Sequence, residues 1–484
     1  MNALSHPDYE LIVGLEVHLQ LKTKTKAYCA DPYEYGHEAN TQVSPISLGH
    51  PGTLPVPNKV VIEQAIRLGI ATNSSIRSYN SYARKNYFYA DLPKGYQITQ
   101  DLTPICNEGF LDVENAEGET IRIGITRIHM EEDSGKSIHD IDPFDSLIDL
   151  NRAGVPLLEI VSEPDIRSVE EAYNYLAEIR KLVQYLDICD GNLEEGSMRC
   201  DANISVRKKG ETALRNRVEV KNMNSLRNVQ KAILHEANRQ IEVYEHQGEV
   251  DQETRSFDAN TSSTFVMRSK EDAHDYRYFP EPDIMPVIVR QEDIDAVKST
   301  MPTLPKALFE HYTQNCKLSA YDAHILTEEK SIALYFNALI EHTSHYKSAC
   351  NYLMGSVKSY LNEKAIPIEE FPVSPAKLAE MVNLIEEGKF SHTAAAQQLV
   401  PALIHQAEAD VMSLAKDLNI LQDSDEDSLK ELISDIIKSM PDEAERFRSG
   451  EKKLQGLFMG KIMKASKGKA DPRLSAKLLN QLLN

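Results

Sequence analysis

The segment Leu11-Ile-Val-Gly-Leu-Glu-Val-His-Leu-Gln-Leu21 decides how this chain of 484 residues is read. Its apolar residues fall at 11, 13, 15, 17, 19 and 21, the period of two that a strand with one buried face requires. That alternation turns Leu and Val side chains to a core and leaves Glu16, His18 and Gln20 in a row on the other face. Residues two apart on one strand face stand roughly 6–7 Å apart, so the Glu16 carboxylate and the His18 imidazole can share a metal ion or a reacting group. For this strand alone, a solvent-facing polar row is the competing reading.

Two further segments favour a site. Ile121-Arg-Ile-Gly-Ile-Thr-Arg-Ile-His-Met-Glu-Glu-Asp133 alternates through Ile121, Ile123 and Ile125, then shifts phase at Arg127 so that Ile128 and Met130 become the apolar members. Such a shift predicts a β-bulge, which re-aims side chains, and the strand ends in Glu131, Glu132 and Asp133. Val155-Pro-Leu-Leu-Glu-Ile-Val161 reads as a strand buried on both faces. Its one charged residue, Glu159, needs a cation, a metal or a proton there. It is either a functional carboxylate or the partner of Arg152.

The length predicts two to four domains. No apolar run approaches the roughly 20 residues of a membrane span, and Met1–Glu10 lacks the basic stretch and apolar core of an export signal, so a cytoplasmic protein is expected. The six cysteines (29, 106, 189, 200, 316, 350) are scattered, which fits free thiols in a reducing compartment. A net charge of −21 argues against indiscriminate nucleic-acid binding, yet the charge is uneven. Residues 408–445 carry twelve acidic and three basic side chains, and residues 446–477 carry ten basic and two acidic. The last stretch is either a footprint for a polyanion or a solvated helical face.

Residues 10–290 mix strands and hairpins with a few helices. A helix is predicted over 169–186, with apolar residues at helical spacing and Ser168 and Glu171 as its capping box; a second is predicted over 226–244. The Pro-rich segment 279–286 closes this region. Residues 304–405 read as helical, and a last helical unit follows over 408–484, where Gly468 stops one helix and Pro472 starts the next. This is a large mixed α+β body with two helical appendages.

Tyr82–Tyr96 combines aromatics with Arg84, Lys85 and Lys94, a composition suited to base stacking or to a hairpin core. Segments 198–207 and 215–222 alternate as two strands. Paired, they present a face with Arg199, Asp201, Asn203, Ser205 and Arg207 beside Arg217, Glu219 and Lys221. Such a face holds a triphosphate by side chains or is simply solvated. Gly135-Lys136-Ser137 mimics the end of a P-loop, but Met130 stands where the first glycine belongs. There is no dinucleotide-type glycine motif, no nucleophile elbow and no Gly-Gly pair. Phosphate would therefore be handled by carboxylates, a metal and basic side chains.

Taken together, the segments resemble the GatB family, the B subunits of aspartyl/glutamyl-tRNA(Asn/Gln) amidotransferases. The motifs are Gly-Leu-Glu-Val-His (14–18), Arg-Lys-Asn-Tyr-Phe-Tyr (84–89), His-Met-Glu-Glu-Asp-Ser-Gly-Lys (129–136), the run 149–164, Glu-Glu-Gly-Ser-Met-Arg-Cys-Asp-Ala-Asn-Ile-Ser (194–205), Glu-Val-Lys-Asn-Met-Asn-Ser (219–225) and the run 267–283. The tail over 456–472 resembles a YqeY-type domain. The resemblance implies an α+β fold: a mainly antiparallel-sheet cradle domain (1–293) carrying the kinase and transamidase site, an all-helical domain (294–407) and a small helical YqeY-like tail (408–484) that binds tRNA. It implies ATP-dependent phosphorylation of the side-chain carboxylate of Glu-tRNA(Gln) or Asp-tRNA(Asn). Amidation by ammonia from the glutaminase (A) subunit follows, with a small C subunit joining the two.

By position, the resemblance makes His18, Glu132 and Glu159 ligands of Mg²⁺, with Glu16 and Glu131 beside them as catalytic groups. It puts Lys85 and Lys94 by the ammonia path and Arg199, Asn203, Ser205 and Lys221 near ATP. The basic stretch of the tail sets Lys461, Lys464, Lys467 and Lys469 against tRNA. The chain departs from the family at one point. Where many members have a four-cysteine zinc site it has Cys29, Asp31, Ser44 and Ser47, and one thiolate cannot make a structural zinc site, so no zinc is expected. Two other functions remain in view: a glutamine-synthetase-like ligase acting on a free amino acid, and a non-catalytic RNA-binding subunit.

Overall fold

The computed structural model describes residues 4–139, 141–268, 276–422, 426–466 and 470–483. They form two compact units, 1–304 and 305–484. In the first, nine described strands make one sheet in the order Ser263–Arg268, Thr254–Asp258, Val218–Lys221, Met198–Lys208, Tyr9–Gln20, Pro156–Ser162, Thr120–Glu132, Cys106–Glu114, Ser75–Ile76. Every neighbouring pair is antiparallel except Val218–Lys221 with Thr254–Asp258.

The strand Tyr9–Gln20 lies at the centre because its alternation gives one face to the core. Leu11, Val13, Leu15, Val17 and Leu19 are buried, while Glu16, His18 and Gln20 are half-buried on the other side. The helices Val169–Tyr185 and Leu226–Glu245 cover the apolar face, through Ala172, Leu176, Ile179, Val183, Val229, Ile233 and Ala237. At the first helix Ser168 Oγ accepts the Glu171 N–H (3.1 Å). The Glu171 carboxylate accepts from Arg167 N–H (2.7 Å), one residue earlier than a strict capping box.

The bulge is present. Val161 pairs with Arg127 and Ser162 with Ile125, so Thr126 is skipped, and the apolar phase moves from Ile123 and Ile125 to Ile128 and Met130. A smaller three-stranded sheet, Phe279–Pro280, Ala83–Asn86 and Tyr96–Thr99, lies beside the Thr120–Glu132 strand, tied to it by the Ile98 N–H bond to Glu132.

The first unit ends at Leu304. The helix Gln291–Ser299 packs on Lys59–Ala71, with Arg67 bonded to Thr300 (2.8 Å) and Val297 in the core. In the second unit the helix Val411–Asp417 packs on Pro375–Glu386 and Val400–His405, so the helical bundle continues beyond 408. Residues 429–483 then bury a core of their own around Ile433, Phe447, Phe458, Ile462 and Leu479. Pro472 starts the last helix, Pro472–Leu483; Gly468 lies outside the described residues. No described helix is long and apolar enough to cross a membrane.

Candidate active site

The registers of the central strands build the site. His18 stands opposite Glu159 on one side and Arg199 on the other, and Glu159 stands opposite His129. Arg199, His18, Glu159 and His129 therefore form one row across four adjacent strands. The next row holds Asp201, Glu16, Val161 and Arg127, and Leu157 stands opposite both Gln20 and Glu131. Directly opposed side chains have Cβ atoms about 4.5–5.5 Å apart, so these rows bring charges of both signs into contact. All of these but Val161 and Gln20 line one cavity of about 770 Å³.

Glu159 Oε2 lies 3.2 Å from His18 Nε2 and 3.3 Å from His129 Nε2. Glu131 lies 3.7 Å from His18 Nε2 and 3.6 Å from His129 Nε2, and accepts from Thr99 Oγ1 (3.2 Å). Burial disfavours both imidazolium ions, but the carboxylate charges prevail. Glu159 and Glu131 raise His18 and push His129 up to about 9. Burial likewise opposes the Glu159 charge, and the two imidazoles hold its carboxyl well below the ordinary range. Burial and the neighbouring Glu159 raise Glu16, which accepts from Asn203 Nδ2 (2.8 Å). Arg152 is not the partner of Glu159; it lies 3.6 Å from Asp133, which also accepts from Arg199 (2.8 Å) and Gln20 (2.9 Å).

Lys85 reaches the same cavity. Burial disfavours its charge, yet Glu131 and Glu159 raise it overall. At the other side Lys221 pairs with Asp201 and Glu219 (2.8 Å to Glu219), and these pairs outweigh the burial that disfavours its charge. Two of the four residues expected near a nucleotide thus line the cavity, Arg199 and Lys221. The other two turn elsewhere: Asn203 holds Glu16, and Ser205 is buried and donates to the Arg215 carbonyl (3.3 Å). Arg207 is held by Glu10 (2.6 Å).

Alternation separates Glu131 from Glu132. Glu131 faces the cavity with His129, whereas Glu132 follows Ile128 and Met130 to the opposite face. There Glu132 pairs with Lys94 and accepts the Ile98 N–H (2.9 Å). The described residues that bring ligand atoms within 4.8 Å of one another are therefore His18, Glu131 and Glu159, and Glu132 is not among them. Glu132, expected beside His18 and Glu159, faces the other side of the strand. The spacing suits one divalent cation with oxygen and nitrogen donors. His129 stands at the rim of the same set, its buried Nδ1 without a partner among the described residues. The sequence motif contained His129, but its role became visible only through the register with Glu159.

Lys94 and Glu132 lie on a second, smaller cavity of about 140 Å³ with Cys29, Ser47 and Gly49. Gly49 has φ +66°, and a Cβ there would stand 2.7 Å from Lys94 Cγ, so glycine is what lets this loop approach the lysine. The four positions set against a zinc site gather around one carboxylate. Asp31 accepts the Ser44 N–H (2.9 Å) and the Ser47 hydroxyl (2.6 Å). Burial pushes the Cys29 thiol up to about 11. Lys461 and Lys464 are exposed on the helix Gln455–Ala465; Lys467 and Lys469 lie outside the described residues.

The cavity thus gathers carboxylates and imidazoles between Arg and Lys side chains, a set that could hold a divalent cation. Comparison with known proteins places the chain more narrowly. Residues 11–295 match the family described as the GatB/GatE catalytic domain, and residues 334–483 match the GatB domain. The chain is 48% identical over 476 residues to the B subunit of the aspartyl/glutamyl-tRNA(Asn/Gln) amidotransferase of Chlorobium phaeobacteroides, covering 98% of this chain and 99% of the relative. It is 47% identical over 479 residues to the protein of that name from Geobacter sulfurreducens (98% and 99%) and 44% identical over 475 residues to that from Thermodesulfovibrio yellowstonii (98% and 99%). The chain belongs to the GatB family.

Proposed function

We propose that this chain is the component of a tRNA-dependent amidotransferase that activates and amidates the aminoacyl group. It transfers the γ-phosphoryl group of ATP to the side-chain carboxylate of Glu-tRNA(Gln) or Asp-tRNA(Asn). Ammonia then displaces phosphate to leave Gln-tRNA(Gln) or Asn-tRNA(Asn). The observation that carries this reading is the row of His18, Glu159 and His129 with Glu131 beside it, set between Lys85 and Arg199.

A carboxylate resists amines because oxide is a poor leaving group, and phosphorylation supplies a good one. Phosphoryl transfer asks a protein mainly for positioning and charge neutralisation. His18, Glu131 and Glu159 would hold the divalent ion, expected to be Mg²⁺, and that ion would neutralise phosphate charge. Lys85 offers an ammonium to the transferring oxygens, Arg199 and Lys221, each held by carboxylates, offer two cations to the nucleotide phosphates, and Glu16 offers a carboxyl of raised proton affinity at the same face. The Lys94–Glu132 pair lies behind the strand, by the path proposed for ammonia. The partners expected are the misacylated tRNA and two further proteins of the complex, the glutaminase (A) subunit with the small C subunit. With one thiol among Cys29, Asp31, Ser44 and Ser47 we expect no bound zinc, which elemental analysis of purified protein checks.

ATP hydrolysis that depends on misacylated tRNA tests the reading. A ligase for a free amino acid would turn over without tRNA, and a non-catalytic RNA-binding subunit would not turn over at all. The isolated chain should use high free ammonium but not glutamine, since it carries no Gly/Ser-rich nucleophile loop; glutaminase activity in highly purified chain would contradict this. The two faces of the strand give a sharper test. Glu131→Gln should weaken Mn²⁺ binding by roughly 10- to 100-fold or more, while Glu132→Gln should leave it within a few-fold and impair only the ammonia-dependent step. Calorimetric titration with Mn²⁺ and single-turnover ATP cleavage separate the two. Equal loss of Mn²⁺ affinity in both variants would refute the assignment.

A further inference from the structure

We infer that Tyr87, Tyr276 and Tyr278 form the stacking subsite for the nucleobase of the terminal adenosine that carries the amino acid. This rests on the function proposed above. The cavity is polarised. Its phenol rings, among the described residues, are these three. Strand order runs from Val218–Lys221 through Met198–Lys208, Tyr9–Gln20 and Pro156–Ser162 to Thr120–Glu132. The strands Tyr96–Thr99 and Ala83–Asn86 follow beyond it, linked by the Ile98 and Thr99 bonds to Glu132 and Glu131. Lys221 and Arg199 are thus on one side of the carboxylate cluster and the tyrosines on the other, with Lys85 between. The Lys85 ammonium stands 4.9 Å over the Tyr276 ring and is drawn by the charges of Glu131 and Glu159.

The wall is built rather than incidental. Tyr87 meets Tyr276 at 6.0 Å and 73°, and Tyr276 meets Tyr278 at 6.0 Å and 68°. Edge-to-face packing fixes the rings without stacking them face on face. The segment is clamped from behind. Asn86 N–H donates to the Tyr276 carbonyl (2.9 Å) and Asn86 Nδ2 to the Arg277 carbonyl (2.8 Å). Arg84 holds Glu281 through two nitrogens (2.6 and 3.0 Å). Tyr278 keeps 42% of its surface exposed, a large phenol ring left open beside a reaction centre. If Arg199 and Lys221 hold the nucleotide phosphates, the base stacked at the opposite end is that of the aminoacyl ester. Its side-chain carboxylate then points past Lys85 to the cluster.

The test compares esters of one amino acid. The full chain, supplied with ATP and ammonium, is assayed on 3′-O-glutamyl-adenosine and on glutamate α-methyl ester, which has no base. For Tyr278→Ala we expect KM for the adenosine ester to rise roughly 5- to 100-fold, with KM for the methyl ester and for ATP unchanged, and Tyr278→Phe to behave as the parent. A rise in KM for ATP with the adenosine ester unaffected would assign the wall to the adenine of ATP and overturn the inference. Equal effects on both esters, or none, would reduce the tyrosines to hairpin packing. Absence of any aminoacyl-dependent ATP cleavage in the parent chain, on misacylated tRNA included, would refute the proposed function and this inference with it.

Discussion

Glu159→Gln is expected to lower aminoacyl-tRNA-dependent ATP cleavage by roughly two to three orders of magnitude while the protein stays folded. One carboxylate oxygen serves both His18 and His129, at 3.2 and 3.3 Å. The amide keeps the volume and one hydrogen-bonding oxygen but removes the charge that holds both imidazoles and would face the cation. Breaking a buried pair by removing one charge costs on the order of 3–5 kcal/mol, and Glu131 remains to share the load, so thermal unfolding should shift without collapse of the sheet. The decisive measurements are ATP cleavage with glutamyl-tRNA at saturating Mg²⁺, Mn²⁺ titration and a melting curve. Near-normal cleavage with supplied Mg²⁺ would remove Glu159 from the site.

The second large effect concerns the tail. Removal of residues 423–484 should weaken tRNA binding by about tenfold or more and flatten its dependence on salt, by a slope of about 0.7–0.9 for each phosphate no longer engaged. The cut falls after Gln422 because the helix Val411–Asp417 packs on Pro375–Glu386 and Val400–His405 and belongs to the bundle. The removed part buries its own core and carries the basic stretch, with Lys461 and Lys464 exposed. ATP cleavage at saturating tRNA should survive, since every residue of the cavity lies before 279. Equal affinity and equal salt slope in full-length and shortened chains would make the tail a solvated appendage and direct the search for the RNA surface to 305–405.

Much of this was legible in the chain itself. A period of two in 11–21 sets which side chains of the central strand are buried, because burial of one face is a local consequence of the pleat. The phase change near Arg127 shows the bulge for the same reason, and the lone charge in 155–161 marks Glu159. The charge reversal near 445 marks the basic stretch by composition alone, although it falls inside the core that Ile433, Phe447 and Leu479 share.

What the sequence could not settle is which strand lies beside which, and in what register. Glu131 and Glu132 are equivalent as sequence, two adjacent acids at the end of one strand. Pairing of Glu159 with His129 and of His18 with Glu159 turns His129 and Glu131 to the cavity that His18 faces, and so separates Glu131 from Glu132. The same long-range pairing brings in His129, takes Arg152 away to Asp133, turns Ser205 to the Arg215 carbonyl, and places three tyrosines from two distant segments on one wall. Periodicity is a property of neighbours along the chain. A site assembled from residues more than a hundred positions apart depends on sheet order, which the sequence pattern of each strand leaves open and only the packed tertiary structure selects.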